Sequence, residues 1–186
     1  FSYCRSLVDV KLGDAIKEIA PYTFAGCASI KTINLEKVET IGDYAFMECG
    51  LESVDLSGAM KIGEYAFVSN RLLATAKLNA EGVEIGEGAF SYCDPLAAVE
   101  NLNKATVIGD YAFAYVALAE ADLSGATSIG KNAFMKEELT PFKVTLGDKL
   151  VKLGDNPFAM CQLEPFSKAD KTEINGHEVE IVSHNY

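Results

Sequence analysis

Tryptophan is absent from this sequence, histidine occurs twice, and basic residues are outnumbered 16 to 27 by acidic ones. The resulting net charge of -11 is repelled by a phosphate backbone, which excludes nucleic acid as a natural partner. With only His177 and His184 as imidazoles, nucleophilic catalysis is short of a base. Neither a G-x-S-x-G elbow nor a glycine-rich phosphate loop with its lysine is present. No apolar run reaches 18 residues, so no segment reads as a membrane insertion. No stretch joins a basic start, an apolar core and a small-residue cleavage site, so no signal peptide is read in these residues. What remains is 186 residues, 49% hydrophobic and 23% charged, which is the composition of a folded domain.

That composition is spread with a strict period. The string I-G-x-x-A-F recurs at Ile41–Phe46, Ile62–Phe67, Ile85–Phe90, Ile108–Phe113 and Ile129–Phe134, with degenerate copies at Ile19–Phe24 and Leu153–Phe158. Phe1 closes a further copy, because F-S-Y-C at its position repeats at Phe90. Eight phenylalanines thus stand 21 to 24 residues apart. After each comes an alternating apolar mark, as in Leu7-Val10-Leu12, Ile30-Ile33-Leu35, Leu51-Val54-Leu56 and Leu139-Val144-Leu146, the period-2 signature of a short strand with one buried face. A brief apolar pair such as Val38/Ile41 follows, then a glycine shared by Gly42, Gly63, Gly86, Gly109, Gly130 and Gly154. A glycine in that column supplies either a positive φ or a close backbone approach. The D/E-Y-A-F segment beyond it spaces its apolar residues like one or two helical turns. One such unit cannot bury a core alone, so copies must stack into a solenoid.

The blocks Ile41-Gly42-Asp43-Tyr44-Ala45-Phe46-Met47-Glu48-Cys49, with Leu51, Val54 and Leu56 behind them, resemble the BspA-like branch of the leucine-rich repeats. The likeness covers residues 1–166. It implies an α/β repeat solenoid: a curved, right-handed stack of about seven to eight repeats of ~22 residues, with short parallel strands on the concave side and short helices or turns on the convex side. Because Phe1 falls inside a repeat, the sequence reads as a fragment whose open end invites a further copy or end-to-end or edge self-association. Residues 167–186 leave the period. Asn175-Gly176 between alternating segments signals a hairpin, read as a cap or as the start of a further domain.

Three residue columns invite a chemical reading. Cys4, Cys27, Cys49, Cys93 and Cys161 each lie three residues after a repeat phenylalanine. Adjacent strand-like positions place Cβ atoms about 4.8 Å apart, beyond the usual disulfide span of about 3.5–4.5 Å, so free buried thiols are expected. Spacing near 22 residues fits no compact zinc pattern, and neither a metal nor another cofactor is expected. The acidic column Asp43, Glu64, Glu87, Asp110 and Asp155, interrupted by Lys131, reads as a cation ridge or as helix N-terminal charge, the latter being favoured. The tyrosines Tyr22, Tyr44, Tyr65 and Tyr111, interrupted by Gly88, read as a docking strip or, preferably, as rings packed between turns.

Alternation on the strands turns two rows to solvent on the concave face. The first is Asp9, Thr32, Ser53, Thr75, Ala98, Glu120 and Lys143; the second is Lys11, Asn34, Asp55, Lys77, Glu100, Asp122 and Thr145. The fifth strand carries an extra residue. The densest charged patch is Asp55, Lys77, Glu100, Glu120 and Asp122, taken as the ligand-binding residues. Neither row holds an aromatic residue or an arginine, the side chains that most often anchor interfaces. The resemblance implies a non-catalytic protein-binding or adhesion module, extracellular or on the bacterial cell surface, with a protein, matrix or cell-surface ligand. A structural spacer displaying another domain is the alternative, and a paired-carboxylate hydrolase the remote one.

Overall fold

The computed structural model describes residues 1–163 and, further on, two short strands at Glu173–Ile174 and His177–Glu178. In chain order the strands are β1 (Glu18–Ile19), β2 (Thr40–Ile41), β3 (Ser53–Asp55), β4 (Lys61–Ile62), β5 (Thr75–Lys77), β6 (Val83–Ile85), β7 (Ala98–Glu100) and β8 (Ala105–Ile108). They continue with β9 (Glu120–Leu123), β10 (Ser128–Ile129), β11 (Thr140–Leu146), β12 (Lys152–Leu153), β13 (Cys161–Leu163), β14 (Glu173–Ile174) and β15 (His177–Glu178).

Each turn of the chain has three sides. One is the isoleucine strand, and its seven copies form an unbroken parallel ladder, β1-β2-β4-β6-β8-β10-β12. The second is the V-x-L side, whose strands begin at Ser53 and pair in parallel as β3-β5-β7 and again as β9-β11-β13. The strands expected at Leu7-Val10-Leu12 and Ile30-Ile33-Leu35 do not form, and there the Asn34 side chain bonds the Leu12 N–H and C=O in place of a ladder. The third runs from the column glycine through the phenylalanine. Its backbone donates to the next turn at every second residue: Tyr44 N to Glu64 O, Phe46 N to Ala66 O and Glu48 N to Val68 O, at 2.8–3.0 Å. Seven ladder strands enclose six turns, fewer than the seven to eight repeats implied by counting phenylalanines. Phe1 stands outside the isoleucine ladder, and a count of anchors includes both ends of each interval.

The phenylalanines make the axis of the core. Phe24 through Phe134 are buried and stack ring on ring at 5.2–5.3 Å between centroids. Burying one such ring contributes about 1.5–3 kcal/mol. The inward Leu, Ile, Val and Ala of the two strand sides close around that axis.

The expected helices on the far side do not form. Tyr22, Tyr44, Tyr65, Gly88, Tyr111, Asn132 and Asn156 all have positive φ, and four residues later so do Gly26, Glu48, Ser69, Tyr92 and Tyr115. A left-handed residue at every fourth position breaks any α-helix after one turn, so the segment is a chain of tight turns with i→i+3 bonds such as Ala45 N to Gly42 O. The helical element found among the described residues is a 3-10 turn at Leu102–Lys104. Each strained non-glycine residue costs on the order of 1–3 kcal/mol. The inter-turn hydrogen bonds and tyrosine stacking offset that cost.

The column glycine answers to close approach rather than to φ. A Cβ on Gly109 would stand 2.6 Å from Glu87 N and 2.6 Å from Gly86 C, both backbone atoms of the preceding turn. A second departure concerns Leu139, expected inside but 60% exposed. Thr140 and Pro141 lengthen this copy, so Phe142 takes the inward place, buried and tilted against Phe134 at 5.9 Å. β11 accordingly runs to seven residues, pairing with β13 through Thr140–Phe142 and with β9 through Lys143–Leu146. At the far end, β14 and β15 pair antiparallel, with Ile174 opposite His177. The proposed boundary at residues 166/167 and His184 lie outside the described residues.

Candidate functional site

The row alignment of the charged face is reproduced in the ladder registers. Asp55, Lys77 and Glu100 are direct neighbours across β3, β5 and β7, as are Ser53, Thr75 and Ala98. Glu120 faces Lys143 and Asp122 faces Thr145 across β9 and β11. Lys77 Nζ lies 3.5 Å from Asp55 Oδ2. Partial burial of Asp55 opposes its charge, but hydrogen bonds from Ser57 and the Lys77 ammonium outweigh this and hold the carboxyl below its usual range. Pairs this exposed contribute little stability.

The five residues nevertheless divide into two groups, because the V-x-L sheet is split between β7 and β9. Its cause is one residue. Inward positions on this side are two apart at Val54/Leu56, Ala76/Leu78, Ala121/Leu123 and Val144/Leu146, but three apart at Val99/Leu102. Asn101 is the insertion. It adopts φ 63°, ψ 23°, ends the strand, starts the 3-10 turn and donates from Nδ2 to Leu78 O at 3.0 Å. Beyond it the chain leaves the plane of the ladder, and among the described residues no backbone hydrogen bond joins β7 to β9.

A cleft of about 410 Å³ occupies the split. Glu100, Glu120 and Asp122 line it together with Ala98, Val99, Asn101 and Leu118. Val99 is half-buried, whereas the equivalent Val54, Ala76, Ala121 and Val144 are buried, so the split bares an apolar floor. Among the described residues no basic side chain lies within 4 Å of Glu100, Glu120 or Asp122. Asp122 Oδ1 accepts from Ser124 N at 3.0 Å. The patch read from the sequence is therefore a salt-bridged pair, Asp55–Lys77, beside a notch holding three carboxylates. Val99, Leu118 and Asn101 were missed as site residues; the three-residue step from Val99 to Leu102 was the available signal.

A second cavity of about 410 Å³ adjoins at Leu118, bounded by Asp94, Tyr115, Lys136, Glu137, Glu138 and Pro141 among others. Lys136 is buried there. Its Nζ donates to Val116 O at 2.7 Å and to Leu118 O at 2.6 Å and lies 5.0 Å from the Phe142 ring centroid. Desolvation holds its pKa below the usual lysine value. Two main-chain carbonyls of the Val116–Leu118 segment are satisfied in this way from the following turn, which makes Lys136 a structural brace.

The columns resolve into packing roles. The cysteines are free, and Cys49, Cys93 and Cys161 donate to the Phe24, Phe67 and Phe134 carbonyls of the preceding turn at 3.0–3.2 Å. Burial pushes Cys49 and Cys93 up to about 12 and Cys161 to about 11. Asn70, in the same column, donates twice to carbonyls but leaves its buried Oδ1 without a partner. The acidic column caps no helix, since the segment that follows it is a chain of tight turns. Instead Asp43 Oδ1 accepts from Glu64 N at 2.9 Å and Asp110 Oδ1 from Lys131 N at 2.7 Å, each tying one turn to the next. The tyrosines stack between turns, Tyr22 on Tyr44 at 4.9 Å and Tyr44 on Tyr65 at 5.2 Å, and the Tyr65 hydroxyl bonds Glu87.

A solved leucine-rich repeat protein from Bacteroides ovatus ATCC 8483 is similar over 88% of this chain and 61% of its own length, at 18% identity and a TM-score of 0.49. This chain therefore spans about three fifths of that protein. A search of curated proteins finds no match. The family model of the BspA type leucine rich repeat region, in six copies, matches residues 1–119 and 106–178. The matched segments take in nearly all of the solenoid, and the chain belongs to the BspA type leucine-rich repeat family.

Proposed function

We propose that this chain is a non-catalytic protein-binding module, displayed outside a host-associated bacterial cell, whose contact surface is the charged V-x-L face formed by Asp55, Lys77, Glu100, Glu120 and Asp122. The observation that carries the reading is the notch between β7 and β9. There an apolar floor at Val99 and the carboxylates of Glu100, Glu120 and Asp122, which form no ion pair among the described residues, line one cleft. Membership supports it further, since repeats of this type are commonly surface protein-interaction modules. Exposed charges are screened within about 8–10 Å at physiological ionic strength, so affinity through this face should be modest and salt-sensitive.

The test is a screen of the chain against matrix and cell-surface proteins, followed by the double charge reversal Lys77→Glu with Glu120→Lys. Loss of binding by the double variant supports the reading. Unchanged affinity, with loss on substituting Tyr44 and Tyr65, moves the contact to the tyrosine side. The absence of aromatic residues and arginine from the two rows favours a second reading, a spacer that positions a neighbouring domain. Full biological activity after replacing the array by an unrelated rigid rod would select the spacer.

A further inference from the structure

We infer that the gap between β7 and β9 is a receptor for an extended polypeptide segment carrying lysine or arginine, which enters as a short additional strand; this rests on the protein-binding reading above. From Ser53 onward, neighbouring strands on the V-x-L side otherwise satisfy one another through β3-β5-β7 and β9-β11-β13. At the gap the edges of β7 and β9 lack each other as ladder partners, and the 3-10 turn Leu102–Lys104 that follows β7 packs against β9, while the core beneath is unbroken, with Phe90 and Phe113 stacked at 5.2 Å. An extended segment can meet such edges with main-chain hydrogen bonds, while pockets along the strand select its side chains. The pockets here are the apolar floor of Val99 and Leu118 and the rim of Glu100, Glu120 and Asp122. Complementarity to that rim requires positive charge on the incoming segment. On the intact part of the rows Asp55 is paired with Lys77, whereas no ion pair reaches the three carboxylates of the gap among the described residues. The cleft of about 410 Å³ lies within the usual range for ligand sites, about 300–1,000 Å³.

The experiment uses the full chain and three fluorescent nine-residue peptides: one alternating lysine with valine, one alternating glutamate with valine, and one with the lysines kept but proline in place of valine. Fluorescence anisotropy at 50 and 150 mM salt should show binding of the lysine–valine peptide, with affinity at least tenfold weaker for the other two. Glu100→Gln, Glu120→Gln and Asp122→Asn together should weaken it at least tenfold. Ala98→Lys, which supplies the gap with the chain's own cation, should do the same, as should deletion of Asn101, which restores the two-residue step and lets β7 and β9 pair. Equal binding of the proline peptide would overturn strand entry and leave charge attraction alone. Undiminished binding by both Ala98→Lys and the Asn101 deletion would overturn the location. A protein ligand still held by these two variants but lost on the Lys77/Glu120 reversal would refute the gap and leave the protein-binding reading standing. A ligand held by all of them would refute both.

Discussion

Replacing Gly109 by alanine adds one methyl group and should destabilise the solenoid, whereas the same replacement at Gly13 should stabilise it. At Gly109 the new Cβ would meet Glu87 N and Gly86 C at 2.6 Å and Gly86 O at 2.9 Å, all backbone atoms of the preceding turn. Those atoms cannot move aside as a side chain would. The same turn receives the Gly109 N–H at Ile85 O, 2.8 Å away, and presses the neighbouring phenylalanines together. Relief therefore requires separating two turns of a stack whose ring spacing is already at contact. Overpacking of this kind costs about 1–3 kcal/mol, and a backbone clash places Gly109→Ala at the upper end. For a chain of this size about 3 kcal/mol corresponds to a fall of roughly 6–12 °C in melting temperature. At Gly13 nothing lies within 4 Å of the added atom and no positive φ is recorded. There the substitution removes only unfolded-state freedom and should add about 0.4–1 kcal/mol. Thermal unfolding followed by far-ultraviolet circular dichroism on the pair measures both. An unchanged melting temperature for Gly109→Ala, or an equal fall for both variants, would refute the close-approach explanation of the column.

The remaining expectations concern the core, the thiols and the orphaned amide. Phe67→Ala should cost roughly 3–5 kcal/mol in urea unfolding, while Glu64→Ala, on the outer side, should cost well under 1 kcal/mol; equal effects would mean that inner and outer faces are exchanged. Cys4, exposed, should react with a thiol reagent in the native protein, while Cys49 and Cys93 wait for unfolding. Because burial raises those two thiols from 9.0 in the unfolded chain to about 12, the neutral form stabilises the fold fully below pH 9, and that contribution should fade between pH 9 and pH 12. A flat melting temperature across that window would contradict the burial. Asn70→Cys should stabilise by about 1 kcal/mol, since it removes the unpaired Oδ1 and restores the thiol-to-carbonyl pattern of the column; a loss of stability would show that the two amide hydrogen bonds outweigh it.

The parts of the fold that were readable in the sequence are those set by side-chain volume. A phenylalanine every 21 to 24 residues and an alternating apolar mark behind it can be buried together in one way, by stacking, and the ladder registers follow from that. Backbone conformation was less legible. The tyrosine column looked like a helix face because apolar spacing of three and four does not distinguish α-helix from successive tight turns. The distinguishing signal lay in its apparent exceptions. Gly88, Asn132 and Asn156 replace tyrosine, and glycine and asparagine are the residues that enter the left-handed region most easily. Read as a column with a positive φ, rather than as an interrupted aromatic strip, these positions exclude a helix. The acidic column was misassigned for the same reason: Asp43 and Asp110 accept backbone N–H groups of the next turn, a role that appears only once that turn is adjacent. The inward residue of the last long strand was misread at Leu139 because the Thr140-Pro141 lengthening shifts the register to Phe142.

A regular solenoid can carry a specific contact where its repeat is broken. Each turn presents nearly the same surface as its neighbours, so a partner fitted to one regular stretch fits the next one almost as well. Specificity requires a place that occurs once. Three departures from the repeat converge within two turns: the Asn101 insertion, the Thr140-Pro141 lengthening and the buried Lys136. Each opens or braces the same region. Asn101 takes a left-handed conformation, Lys136 carries a desolvated amine, and Val99 gives up part of its burial. The isoleucine ladder and phenylalanine axis run through these turns without interruption, so the strain is confined to the V-x-L side. Two sides hold the stack in register, and the third breaks its ladder between β7 and β9, beside two cavities that meet at Leu118.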